Sequence, residues 1–324
     1  MRRRTGNSVM RERLGRFLWP VIRYGVSILC LVYVFWDVPF AAPGALLGKY
    51  PLLPMLTVVA VSFVAYALMG LRLSRMATPP MSFRSTFAAT LVGLGVNNVL
   101  PAKAGEIAKA AWMGRANGLT FQKALGIVFM ERFFDVNVLA LLSLRFLWEF
   151  GRRGAVFAFL ACLAGGWGLL ALFRLRSELA ERFAGFFGAF GGDGLRRFVS
   201  QALSGVLDNM SPGTLVWLTV TSLTLWSFYS LQMYLCLNAV AGLELPWGVT
   251  LTVFAISGLG MLLPSSPGAI GVYEAVTLTA LKNFGVETDA ALAITLFSHM
   301  AQFVPVTLVG GLIFMAFPNS AKED

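Results

Sequence analysis

Residues 95–113 read GVNNVLPAKAGEIAKAAWM, and residues 258–276 read GLGMLLPSSPGAIGVYEAV. Each holds Leu-Pro-x-x-x-Gly inside an apolar run: Leu100-Pro101 to Gly105, and Leu263-Pro264 to Gly268. The phrases lie 163 residues apart, an offset that also places Gly95 on Gly258. A second match follows at an offset of 167. Gly118-Leu119 leads to Ala124-Leu125-Gly126-Ile127, and Gly285-Val286 leads to Ala291-Leu292-Ala293-Ile294. Proline removes a backbone donor and disfavours the helical conformation in the residue before it, so each phrase breaks a helix. Breaks at corresponding positions of two hydrophobic halves are the pattern of a transporter site built from discontinuous helices.

The composition agrees. Of 324 residues, 57% are hydrophobic and only 13% are charged, against roughly 25% charged in soluble domains. Several apolar runs reach the ~20 residues that a bilayer crossing needs. They are continuous rather than two-periodic, which excludes a membrane β-barrel. The expected fold is an all-α polytopic membrane protein with about six transmembrane helices and two re-entrant helical hairpins related as inverted repeats. Full crossings are expected near 18–36, 52–70, 121–148, 155–173, 213–236 and 289–316, all inside one transmembrane domain, 18–316. Repeat one covers about 85–148 and repeat two about 249–316. Within them, residues 85–116 and 249–283 are interrupted by the phrases, and each half is too short to span. Non-helical backbone at that depth is tolerated only when buried in protein or lining a cavity.

The net charge of +10 is placed between hydrophobic segments, which is how cytoplasmic loops look and not how a nucleic-acid surface looks. With a cytoplasmic N-terminus, the inner segments hold Arg2, Arg3, Arg4, Arg11, Arg13, Arg16, Arg72, Arg75, Arg84, Lys109, Arg115, Lys123, Arg174, Arg176, Arg182, Arg196 and Arg197. The outer ones hold Lys49, Arg145, Arg152, Arg153 and Lys282. The first hairpin then enters from the cytoplasm. Three crossings separate it from the second, which enters from the opposite face. Residues 177–209 are less apolar, mix Phe183, Phe186, Phe187 and Phe190 with charges, and break at Gly191-Gly192-Asp193-Gly194. They read as two short interfacial helices on the cytoplasmic surface. Residues 1–17 are a basic cytoplasmic N-terminus ahead of an uncleaved first helix, and 317–324 are a polar tail with no soluble catalytic domain expected.

Ionisable side chains at membrane depth are costly and mark function by default. Lys103, Glu106 and Lys109 belong to the first break; Glu106 and Lys109 share a helix face and can pair. Lys103 and the N–H groups of the turn can receive an anionic headgroup or phosphate. Glu131, Arg132 and Asp135 follow in the next helix, with Glu131 and Asp135 on one face and Arg132 pointing elsewhere, toward a neighbouring hairpin. They read either as a structural ion-pair network or as a polar lining for a headgroup. At the corresponding place in repeat two stand Ser298-His299 and Gln302. His299 reads either as a hydrogen-bonded structural residue or as a proton sensor. Ser265, Ser266, Tyr273 and Glu274 are the polar members of the second break, and Glu274 needs a partner such as a residue of repeat one. Pro101 and Gly105 are expected to make the first turn, and Pro264, Pro267 and Gly268 the second. Cys30, Cys162 and Cys236 show no disulfide or metal spacing. No phosphate loop, nucleophile elbow or zinc-protease motif occurs, so no catalytic residue, metal or cofactor is expected.

NNVLPAKAGEIAKAAWM, then ERFFD at 131–135 and LLPSSPGAIGVYEA at 262–275, resemble the flippase-like integral membrane family typified by the transmembrane region of bacterial lysylphosphatidylglycerol synthase. The resemblance runs from about residue 20 to 315. The family's first motif usually reads Pro-x-Arg-x-Gly-Glu, whereas Lys103 stands here, keeping the charge but losing bidentate phosphate recognition. The resemblance implies translocation of a polar-headgroup lipid, without synthesis, across the bacterial inner membrane; the charge distribution places both termini in the cytoplasm. Membrane lipids are the implied partners. A second copy of the chain or a lipid-synthesis enzyme is a further candidate, and nucleic acid is not. The competing reading is a lipid-modifying enzyme or an accessory subunit of cell-envelope lipid or glycan synthesis.

Overall fold

The computed structural model describes residues 25, 28–34, 41–101, 103–149, 151–261 and 265–316. The basic N-terminus, most of the expected crossing at 18–36, Pro264 and the polar tail lie outside the described residues. All regular structure among the described residues is helical. Residues 28–34 are helical, followed by α1 (Ala41–Leu47), α2 (Leu52–Ser74), α3 (Phe83–Val99), α4 (Ala104–Asn117), α5 (Phe121–Glu149) and α6 (Arg153–Leu175). Then come α7 (Ser177–Leu207), α8 (Pro212–Tyr234, continued by a π turn over Leu235–Val240), α9 (Trp247–Gly260), a 3₁₀ turn (Pro267–Ala269), α10 (Val272–Asn283) and α11 (Thr288–Ala316). Four segments are long and apolar enough to cross a bilayer: Leu52–Ser74, Arg153–Leu175, Pro212–Val240 and Thr288–Ala316. The chain is an integral multi-pass membrane protein. Leu52, Leu53, Phe157, Leu172, Leu308 and Leu312 face outward, as side chains bathed in lipid do.

Both phrases end helices. Leu100, which precedes proline, is extended (φ −100°, ψ 142°), so α3 stops there. Lys103 adopts left-handed geometry (φ 58°) as α4 begins, uncommon for a residue with a Cβ. Asn97 Oδ1 accepts from the Gly105 N–H at 2.8 Å, fastening the start of α4 to the end of α3. The second break runs from the end of α9 to Gly271 and turns through Gly268 (φ 66°) and Gly271 (φ 88°). α3 packs on α4 and α9 on α10.

The packing between the two broken segments is reciprocal. α3 lies against α11, and α9 lies against α5. A Cβ on Gly95 would stand 3.3 Å from the Val306 carbonyl oxygen, and one on Gly258 would stand 2.8 Å from a Leu139 methyl. Val306 and Leu139 are themselves 167 residues apart, the offset of the second sequence match. α3 and α11 approach closely because Gly95 and Gly310 face each other, the small-residue contact of membrane helices. One apolar cluster joins α4 and α5 through Ala110, Met113, Ile127 and Met130. Another joins α9, α10 and α11 through Val253, Leu281, Leu292 and Ile294.

α7 is a helical hairpin in itself, reversing at Gly192 (φ 72°, ψ −171°), inside the Gly-rich break read from the sequence. Glu181 and Arg196 face each other across the two arms at 3.6 Å. The second arm rests on α5 where Gly126 meets Gly205.

Candidate functional site

Six charged side chains from α2, α4 and α5 meet beside the first break. Arg72, near the end of α2, donates from Nη1 to Asp135 Oδ1 at 2.7 Å and from Nη2 to Glu131 Oε1 at 3.0 Å. Its Nη1 also donates to the Ser222 hydroxyl of α8 at 2.8 Å. Lys109 Nζ donates to the other oxygen of Glu131. Arg132 lies 3.1 Å from Asp135 Oδ2, 3.3 Å from Glu131 Oε1 and 3.7 Å from Glu106 Oε1. Glu106 also accepts from Asn97 Nδ2 at 3.3 Å, and Trp226 Nε1 donates to Asp135 at 3.3 Å. The three cations balance the three carboxylates. Charges in a low-dielectric interior persist only when paired and hydrogen-bonded in this way.

Accessibility divides the cluster. The side chains of Arg72 and Glu131 are 0% exposed and that of Lys109 is 3% exposed, whereas Arg132 keeps 37% of its surface and Glu106 20%. Arg72 and Arg132 each bury an Nε without a hydrogen-bond partner. The innermost charges hold one another, and the guanidinium of Arg132 forms the open corner.

Around the second break the chemistry is sparser. Glu274, on the first turn of α10, accepts from the Gly271 N–H at 2.7 Å, so its carboxylate caps that helix. Its other oxygen meets His299 Nδ1 at 2.5 Å, and His299 Nε2 lies 2.9 Å from the Gly268 carbonyl oxygen. Ser298 donates to the Thr295 carbonyl, so its oxygen accepts from the Tyr273 hydroxyl at 3.0 Å. Ser266 donates to the Ile270 carbonyl at 3.0 Å within the turn, and Ser265 is half-buried beside it. Pro267 and Gly268 belong to the 3₁₀ turn.

Several expectations change. Arg72, counted with the inner segments on charge alone, and Lys109, counted there and with the first break, are both buried members of the network; the helices around them desolvate both, and carboxylates compensate. Lys109 pairs with Glu131 across helices instead of with Glu106 on its own helix. Arg132 reaches toward Glu106 of the first broken segment, as expected, but it also bridges Glu131 and Asp135 on its own helix, which was not. The N–H groups that open α4 are not left for an anion: Ala104, Gly105 and Glu106 donate to Pro101 O, Asn97 Oδ1 and Lys103 O. Lys103 lies exposed at the turn. Glu274 finds its partner in His299 of the same repeat, not in repeat one. Arg72, Asn97, Ser222 and Trp226 escaped sequence reading. Of these, Asn97 alone carried a local signal, as a polar residue just before the break. Among the described residues no group of three or more His, Cys, Asp and Glu side chains is placed to hold a metal ion.

Comparison with known proteins points the same way. The model of the lysylphosphatidylglycerol synthase transmembrane region matches residues 21–310. A UPF0104 membrane protein of Methanothermobacter thermautotrophicus is 22% identical over 294 residues, covering 83% of this chain and 87% of the relative. A UPF0104 membrane protein of Methanocaldococcus jannaschii is 23% identical, covering 71% of this chain and 97% of its own length. A phosphatidylglycerol lysyltransferase of Staphylococcus haemolyticus is 26% identical over 127 residues, which are 39% of this chain and 15% of that enzyme. The chain belongs to the family of the lysylphosphatidylglycerol synthase transmembrane region.

Proposed function

We propose that the chain is a lipid translocase that carries a polar headgroup across the cytoplasmic membrane, with the two broken segments as re-entrant hairpins entering from opposite faces. The observation that carries this reading is the neutral six-charge cluster among membrane helices, closed on its inner side and open at Arg132. A purely structural network would be closed on every side, whereas the Arg132 side chain stays 37% exposed. A phosphate oxygen arriving there replaces one of the carboxylates that Arg132 shares, so the headgroup exchanges one ionic partner for another without crossing bare hydrocarbon. Arg72 and Lys109 hold Glu131 and Asp135 in place while Arg132 changes partners.

Helix lengths support the hairpins. α3, α4, α9 and α10 have 17, 14, 14 and 12 residues. At 1.5 Å per residue they reach about 18–26 Å, short of the ~30 Å hydrocarbon layer. The reciprocal packing of α3 on α11 and α9 on α5 supports an inverted repeat. Lys and Arg outside the network still favour cytoplasmic termini, with the arms of α7 on the cytoplasmic surface. Kinship with phosphatidylglycerol lysyltransferases supports an anionic or aminoacylated phospholipid as the cargo class, and we read the chain as its carrier.

The test is movement of a headgroup-labelled phosphatidylglycerol across proteoliposomes. Wild-type protein should accelerate it over empty vesicles. Arg132→Ala should abolish that acceleration while eluting as a folded species, and Arg132→Lys should retain part of it. Full activity of Arg132→Ala, or chemical conversion of the lipid by the wild type, would overturn the assignment.

A further inference from the structure

The contacts of His299 fix the number of protons it needs. A carbonyl oxygen only accepts, so the Nε2 atom facing Gly268 carries a hydrogen and donates it. The opposite nitrogen, Nδ1, faces a carboxylate oxygen of Glu274. A neutral ring protonated at Nε2 would turn a bare lone pair toward that oxygen. The contact therefore needs a second proton. Glu274 is the better home for the negative charge: its other oxygen accepts from Gly271 N–H, and it sits on the first turn of α10, where the helix dipole favours an anion. The pair is enclosed, with Glu274 2% and His299 5% exposed.

We propose that Glu274 and His299 form a buried proton-binding site, an imidazolium–carboxylate pair, whose proton latches the second Pro/Gly turn to α11. Removal of the proton breaks one of two contacts whichever tautomer results. With hydrogen at Nε2, the Nδ1 lone pair opposes the Glu274 carboxylate. With hydrogen at Nδ1, the Nε2 lone pair opposes the Gly268 carbonyl. Gly268 is the residue at which the turn reverses, and it lies against Phe303, whose ring is edge-on to His299. Proton loss thus reaches the break either way, through the Gly268 carbonyl when Nε2 is bare and through Glu274, which caps the Gly271 N–H, when Nδ1 is bare. The site stands on its own geometry and holds whatever the protein carries. If the translocase reading is also correct, the same proton gates the second hairpin.

The surroundings leave the proton few other owners. Tyr273 of α10 stacks near the ring at 4.6 Å between centroids. Cys30 of the segment 28–34 and Cys236 at the end of α8 neighbour Glu274 and Tyr273 respectively. Tyr66 of α2 donates to the Gln302 carbonyl, one turn along α11. α1 and α9 contain no ionisable residue, and α3 contains only Arg84, at the end away from the break. Among the described residues, His299 is the one basic side chain within ion-pair distance of Glu274.

The chain has a single histidine, which makes the test direct. Full-length protein with 15N-labelled histidine, freed of any tag and placed in phospholipid vesicles, gives imidazole signals from His299 alone. At pH 7 both ring nitrogens should be protonated, and in Glu274→Gln one should lose its hydrogen. 13C-glycine and 15N-alanine labelling picks out four Gly-Ala carbonyls, at Gly44, Gly154, Gly188 and Gly268. The Gly268 signal is the one missing in Ala269→Gly, and on raising the pH it should shift in the same step as the ring. An unprotonated ring nitrogen in the wild type at pH 7 would overturn the site. A Gly268 carbonyl that ignores the ring's transition would overturn the latch. Neither result depends on lipid transport.

Discussion

The first break is surrounded by six charged side chains on three helices, whereas the second is held by one carboxylate and one imidazole. In the first, the ions satisfy one another across α2, α4 and α5, and Asn97 ties the turn separately. In the second, the ionic pair grips the turn directly, through Gly271 N–H and Gly268 O. Two segments with the same Leu-Pro-x-x-x-Gly break and reciprocal packing therefore use charge differently. One builds a polar cluster with an open corner, and the other fastens a piece of backbone. A shared break sets geometry; the side chains one or two turns away decide what the geometry is for.

That contrast is best broken at Arg72. Arg72→Met strips Glu131 and Asp135 of their buried partner, and removing one side of a buried ionic cluster costs about 3–5 kcal/mol. The fraction of protein that survives heating in detergent, read by size exclusion, should fall sharply. Survival at the wild-type level would mean that the six charges are not interdependent. Gly105→Ala comes next. Its Cβ would overlap the Gly93 carbonyl oxygen and crowd Asn97, so α3 and α4 must separate, at about 3 kcal/mol for an overpacked contact. Gly268→Ala, the matching change in the second break, meets the movable ring of Phe303 and a left-handed backbone. That conformation costs about 1–2 kcal/mol with a Cβ. An equal loss from both glycine variants in the same heating assay would erase the difference between the two turns. Tyr273→Phe removes one hydroxyl bond to Ser298 and should cost about 1 kcal/mol, while transport stays near wild type.

Sequence carried the breaks well, because proline and glycine act on the chain locally. Leu100 is extended since Pro101 follows it, and Gly192 reverses α7 where the Gly-rich stretch stands. It also carried the charges of α5, because Glu131, Arg132 and Asp135 interrupt a run of Phe, Val and Leu. Pairings were another matter. Arg72 stands beside Arg75 at the end of an apolar run, where a buried arginine and a loop arginine look alike. Only the packing of α2 against α8, together with the carboxylates of α5, shows which it is. Glu274 and His299 were both visible as unusual, but 25 residues separate them, and they meet only because the chain reverses at Gly285 and packs α10 on α11.

The most direct measurement is the initial rate of phosphatidylglycerol translocation in proteoliposomes holding equal amounts of wild type, Arg132→Ala and Tyr273→Phe. The account predicts that Arg132→Ala falls to the rate of empty vesicles while Tyr273→Phe keeps the wild-type rate. Arg132→Ala moving lipid as fast as the wild type would contradict it.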